Sequence, residues 1–260
     1  MEIAADTHIH IYPVHDAAAL IRGAARRLLR AAPSPAAVPV LFLAEGRGIH
    51  FFDRLLSGTH GLPGSFKVEG AAEPGSVRVT WDEGESAWIL AGRQLVTAER
   101  VEILALALTG EIEDGLEASA AVQAVLDRGG VPVLAWAPGK WMFKRAGVVG
   151  RLLEDFGPGL LLLGDTSLRP LGWPRPAPMR DPDRVILAGS DPLPLAGEES
   201  EAGRYGVRIE GDFDRRRPLS SLRRLLVDPA ASRRPIGRRN PPWRAGGRLF
   251  RHNRRSPAPR

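Results

Sequence analysis

The chain has 260 residues, a formal net charge of +6 and no cysteine. The last point excludes disulfides, thiolate zinc sites and cysteine nucleophiles. The length suffices for a proper core in one large domain or two small ones. No apolar run approaches a membrane span, and the first residues lack a basic stretch followed by an apolar one, so the expectation is a soluble, cytoplasmic protein without a secretory signal.

In chain order, Glu2 to His10 reads as a first strand. Alternate side chains of a strand share a face, so His8 and His10 project together and Ile9 points away. Neutral imidazole is a common ligand for zinc, manganese and iron. Asp16 caps a helix over Ala17 to Ala31, with Leu20, Ile21, Ala24 and Leu28 on one face. Val40 to Leu43 has the continuous apolar character of a strand buried on both faces. Ile49 to Leu56 has helical spacing. Phe66 to Val96 reads as a small antiparallel excursion, with Val77 to Trp81 and Ala87 to Leu90 joined by the turn at Asp82 to Glu85.

Alternation then resumes. Val101 to Leu108 is a strand and Leu116 to Leu126 a helix stopped by Gly129-Gly130. Val131 to Trp136 is a strand and Val148 to Phe156 a helix. Leu160 to Leu163 is a strand ending at Asp165, and Arg184 to Ala188 one ending at Asp191. Val207 to Phe213 gives a last strand, and Pro218 to Val227 a short helix. Such alternation predicts a parallel sheet, either closed as a barrel or open and doubly wound. No glycine-rich nucleotide fingerprint follows the first strand. His8, His10, Glu45, Glu111, Asp165 and Asp191 all fall at C-terminal strand ends, the edge that carries the active site of a (β/α) barrel.

Charge divides the chain. From Arg215 to Arg260 there are 15 arginines against Asp228 alone, a net +14, so residues 1–214 carry −8. Beyond Asp228 the composition of Pro, Gly, Ser and Arg predicts a basic, disordered or loosely draped tail over residues 228–260, outside a domain of residues 1–227. Phosphate neutralisation by that tail is the one route to a nucleic-acid partner.

Three stretches resemble the polymerase and histidinol phosphatase family of metal-dependent phosphoesterases. They are Asp6-Thr7-His8-Ile9-His10, the run Gly129 to Gly139, and Ile186-Leu187-Ala188-Gly189-Ser190-Asp191. The resemblance implies a distorted (β/α) TIM-like barrel of about seven strands, here with the hairpin insertion near 66–96. It also implies divalent metals at the C-terminal mouth, where activated water attacks a phosphoester. Carried over, His8 and His10 are metal ligands, Glu111 a carboxylate ligand, and Asp191 a late ligand or catalytic base.

The chain departs from the family pattern in three places. Ala44-Glu45-Gly46 stands where the family has Thr-Asp-His, Trp136 where it has a ligand histidine, and Pro192-Leu193-Pro194 where another histidine often follows. These leave a one-metal site for zinc, manganese or iron. Trp136 and Trp141 flank Pro138-Gly139-Lys140. They suggest a pocket for a small, phosphorylated substrate whose anion meets Lys140 or Arg169, although Trp136 reads more simply as core packing. The expected function is a metal-dependent hydrolase. The alternative is an inactive relative that binds or scaffolds.

Overall fold

The computed structural model describes residues 1–82 and 84–255. Its strands are β1 (Glu2–Ile9), β2 (Val38–Leu43), β3 (Lys67–Gly70), β4 (Ser76–Trp81), β5 (Glu85–Leu90), β6 (Gly92–Val96), β7 (Glu102–Leu106), β8 (Val131–Ala135), β9 (Leu162–Thr166), β10 (Ile186–Gly189), β11 (Tyr205–Glu210) and β12 (Ser232–Gly237). Its helices are α1 (Ala17–Ala31), α2 (Phe51–Ser57), α3 (Ala118–Asp127), α4 (Lys144–Asp155), α5 (Pro218–Val227) and α6 (Pro242–Arg255). Helix α1 starts where the sequence places it. Asp16 accepts from the Ala19 amide at 2.9 Å, and Leu20, Ile21, Ala24 and Leu28 are buried.

The strands form two open sheets. One runs β12-β11-β1-β2-β5-β4-β3 and the other β10-β9-β8-β7-β6. Inner faces of both share one core, with Ile3 and Phe42 from the first sheet, Leu104, Val133 and Leu187 from the second, and Leu222 and Leu225 from α5. Outer faces are covered by α1 and α2 on the first sheet and by α3 and α4 on the second. This buries both faces of β1, β2, β8 and β9 and accounts for the unbroken apolar runs of β2 and β8.

The expectation of a closed barrel is therefore corrected. Between β1 and β10 the strand ladder is replaced by side-chain and isolated backbone bonds. Thr7 Oγ1 donates to the Ala188 carbonyl at 3.0 Å, and the Asp191 amide donates to the His8 carbonyl at 3.0 Å. Gly189 permits this approach, since a Cβ there would lie 2.8 Å from the His8 nitrogen. At the other boundary a single bridge joins Glu45 to Arg93. Antiparallel pairing of β11 with β1, and of β7 with β6 and β8, also breaks the parallel order. The 66–96 stretch is no separate excursion. Strand β5 pairs antiparallel with β4 and parallel with β2, while β6 belongs to the second sheet.

The segment from Asp228, expected to drape loosely, forms β12 and α6. Strand β12 extends the first sheet antiparallel to β11. Helix α6 buries Ala245 and Arg248. The reason is ion pairing at long range: Arg248 meets Glu198 and Arg244 meets Glu201, so arginines that look solvated by composition are held in place. No helix among the described residues is long and apolar enough to cross a membrane.

Candidate metal centre

Strand β1 carries Asp6 and His8, and His10 follows directly on its end. A register shift between Asp6 and Ile9 puts the histidines on the face opposite Asp6, and all three residues are buried. Asp6 holds the late segment against β1. Its carboxylate accepts from the Ser190 amide at 2.9 Å, from Ser190 Oγ, from the Gly203 amide at 2.8 Å and from the His8 amide at 3.1 Å. Burial nonetheless pushes its carboxyl up to about 6, against the lowering effect of these bonds. Asp191 follows directly, with a left-handed φ of 52°.

This brings three donors together. His8 Nε2 and His10 Nε2 stand 3.0 Å apart. Asp191 Oδ1 lies 3.7 Å from the first and 3.6 Å from the second. Three donors at about 2.1 Å from one ion, at roughly 90–110° to each other, stand about 3.0–3.4 Å apart, close to what is seen. These are the three residues among those described whose donor atoms gather within 4.8 Å. Burial, reinforced by His8, lowers His10 well below the ordinary imidazole range, which keeps it in the neutral ligating form. Burial raises the Asp191 carboxyl, opposed by His8.

The donor set fits a divalent cation, with one shortfall. His10 has a hydrogen bond with the Ala44 backbone, the kind of outer contact that orients a ligating imidazole. His8 Nδ1 is buried and has no such partner. Around the donors, Tyr12 stacks on His10 with ring centroids 5.2 Å apart, and His15 Nε2 contacts the Leu193 carbonyl at 2.9 Å.

Two residues here escaped the sequence reading. Gln94 places Oε1 3.0 Å from His8 Nε2, but nothing local in β6 marks it. Asp6 had a signal, as a carboxylate two residues before His8 on an otherwise apolar strand.

The other candidates do not join these three donors. Glu111 is exposed and bound to Arg93 at 2.7 Å and His50 at 3.3 Å. Glu45 is buried, accepting from the Phe52 amide at 2.7 Å and from Arg93 at 3.4 Å, so it anchors the start of α2. Asp165 sits inside β9. It takes both arms of Arg169, at 2.6 and 2.5 Å, and the Tyr205 hydroxyl at 2.9 Å, which leaves Arg169 no free face for a substrate anion. Trp141 is buried with Nε1 on the Ala135 carbonyl at 3.0 Å, and Trp136 is buried in the same outer core. Lys140 is half-buried and pairs with Glu102 at 2.9 Å.

No family model matches the chain, and no curated protein matches it. Solved structures do. PsfC from Pseudomonas syringae PB-5123 superposes with a TM-score of 0.53 at 16% identity, over 97% of this chain and 96% of that one. The lesion-specific endonuclease EndoQ from Pyrococcus furiosus superposes with a TM-score of 0.54 at 13% identity, over 91% of this chain. Endonuclease Q in complex with a 27-mer duplex substrate carrying an abasic lesion gives 0.54 at 14% identity, over 89% of this chain. The chain spans 58% of each endonuclease chain. At these identities the likeness is one of fold.

Proposed function

We propose that this protein is a metal-dependent hydrolase of phosphoesters, with one divalent ion held by His8, His10 and Asp191. The observation that carries the reading is the convergence of two imidazoles and a carboxylate that no arginine neutralises. The fold likeness to endonucleases supports it, as does the resemblance of the Asp6–His10 and Gly189–Asp191 stretches to the polymerase and histidinol phosphatase family. Zinc, manganese and iron all suit this donor set.

The bound ion supplies Lewis-acid chemistry and lowers the pKa of water. His8 and His10 would offer their Nε2 atoms as donors, and burial keeps His10 in the neutral form that ligates. Asp191 gives the third donor through one oxygen and takes a proton through the other. Lys140, on the rim with Glu102, meets the substrate anion, and the buried Trp141 supports that loop. Small phosphomonoesters and nucleic-acid phosphodiesters are the substrates to compare. The endonuclease neighbour in complex with a duplex substrate motivates the second class.

The test is elemental mass spectrometry on protein purified without chelator, beside hydrolysis of p-nitrophenyl phosphate, bis-p-nitrophenyl phosphate and duplex DNA. The expected result is about one ion per chain, lost together with turnover in the His8→Ala/His10→Ala double variant. Protein that stays metal-free after incubation with each metal, or a fully active double variant, overturns the proposal. A second reading, a binding module without turnover, is favoured by Trp136, buried where the resemblance expects a ligand histidine. Bound metal without hydrolysis of any of these substrates is its outcome.

A further inference from the structure

We infer that Arg248, on helix α6, is a positioning residue for the candidate centre: it holds the backbone of Asp191 so that the carboxylate faces the two histidines. The inference rests on the metal reading above.

Asp191 adopts a left-handed φ of 52°, which residues other than glycine rarely take unless their surroundings impose it. The imposing contacts come from two sides. On the β1 side, the Asp191 amide donates to the His8 carbonyl at 3.0 Å. On the other side, Arg248 Nη2 donates to the Asp191 carbonyl at 2.8 Å. The residue is thus pinned at both its backbone polar groups, and the side chain is left free of either.

Arg248 is itself fixed. Its side chain is 1% exposed. Nε and Nη2 grip Glu198 Oε2 at 2.9 and 2.6 Å, and Nη1 donates to Ser167 Oγ at 2.8 Å. Glu198 Oε2 also accepts from the Leu193 amide at 3.1 Å, so one ion pair brackets residues 191–193. Glu198 and Glu201 balance the guanidinium charge. The Asp191 carboxylate is therefore not drawn into the pair. A lysine keeps the charge but cannot reach three acceptors in a planar fork.

The experiment titrates cobalt(II) into the full chain and records its visible absorption spectrum for wild type, Arg248→Lys and Arg244→Lys. Arg244 leaves the same helix for Glu201 and does not touch Asp191, so it controls for docking of α6. Arg248→Lys is expected to weaken cobalt binding by about 10–100-fold, the usual effect of losing an outer-sphere partner, and to change the spectrum. Arg244→Lys, which keeps a positive charge at the partly exposed end of the pair with the buried Glu201, should stay within about twofold. Equal losses in both variants, or no loss in Arg248→Lys, overturn the inference.

If the wild type binds no cobalt, the metal reading fails and amide exchange at Asp191 decides this one. Faster exchange in Arg248→Lys than in Arg244→Lys sustains the positioning role, and equal rates overturn it. Glu198→Gln loosens the guanidinium while keeping the arginine, and it carries the same readouts should Arg248→Lys not fold.

Discussion

Two acid-bearing regions lie at strand ends of this molecule, and they have opposite fates. Around Arg93, Glu45 and Glu111 are bound to the guanidinium, and the group is closed on itself. Around Asp191, the cation Arg248 takes the backbone carbonyl instead, and the carboxylate faces two imidazoles. A carboxylate at a strand end is thus not a site by position. What decides is whether a cation has already claimed its oxygens.

Removing the clamp on the second region should have the largest effect. Asp6→Ala leaves the amides of His8, Ser190 and Gly203 buried without their acceptor. Each such loss costs about 1–3 kcal/mol, so urea denaturation should register a loss of about 3 kcal/mol or more together with loss of bound metal. A stable, metal-loaded Asp6→Ala would erase the difference between the two regions.

Breaking the first region comes next. Arg93→Met strands the buried Glu45, whose carboxyl burial already raises. The expected cost is about 3 kcal/mol in the same denaturation assay, with metal stoichiometry unchanged. Metal loss equal to that of the His8→Ala/His10→Ala variant would join the two regions into one.

The pH response sharpens the comparison from the α6 side. Burial raises Glu201, but Arg248, Asn240 and Arg244 more than reverse this and leave it below its ordinary 4.5. A depressed carboxyl pKa means that the unfolded chain binds the proton more readily. The stability it contributes is present above pH 4.5 and is lost as pH falls through the lower folded value. Circular dichroism should show α6 undocking in that acid window, and Arg244→Met should move the transition to higher pH. The smallest effect belongs to Glu111→Gln, an exposed pair whose loss should cost under about 1 kcal/mol and leave metal content alone. Loss of metal there would restore Glu111 as a ligand.

Much of the local structure is legible in the residues. The two-residue period of β1 places His8 and His10 on one face, and the Asp16 cap with its apolar stripe gives α1. What was illegible is what depends on distant partners. Asp165 and Arg169 look like separate candidates, yet they consume each other four residues apart. Helix α6 reads as a solvated tail because a composition window contains its arginines but not Glu198 and Glu201. Closure of the sheets is equally nonlocal, since it turns on where β6 and β11 pair and not on their hydropathy.

The clamp also sets a timetable for synthesis. Asp6 meets Ser190 across 184 residues and Gly203 across 197. At about 5–20 residues per second, the first strand leaves the ribosome roughly 10–40 s before these partners exist. During that interval β2 is available to pair with β1, but His8 and His10 stand without Asp191, open to whichever transition metal the surroundings offer. For the proposed metal centre, selectivity then has to be imposed late, when the chain closes, and refolding in the presence of competing metals is expected to yield a different occupancy from slow exchange into the folded protein.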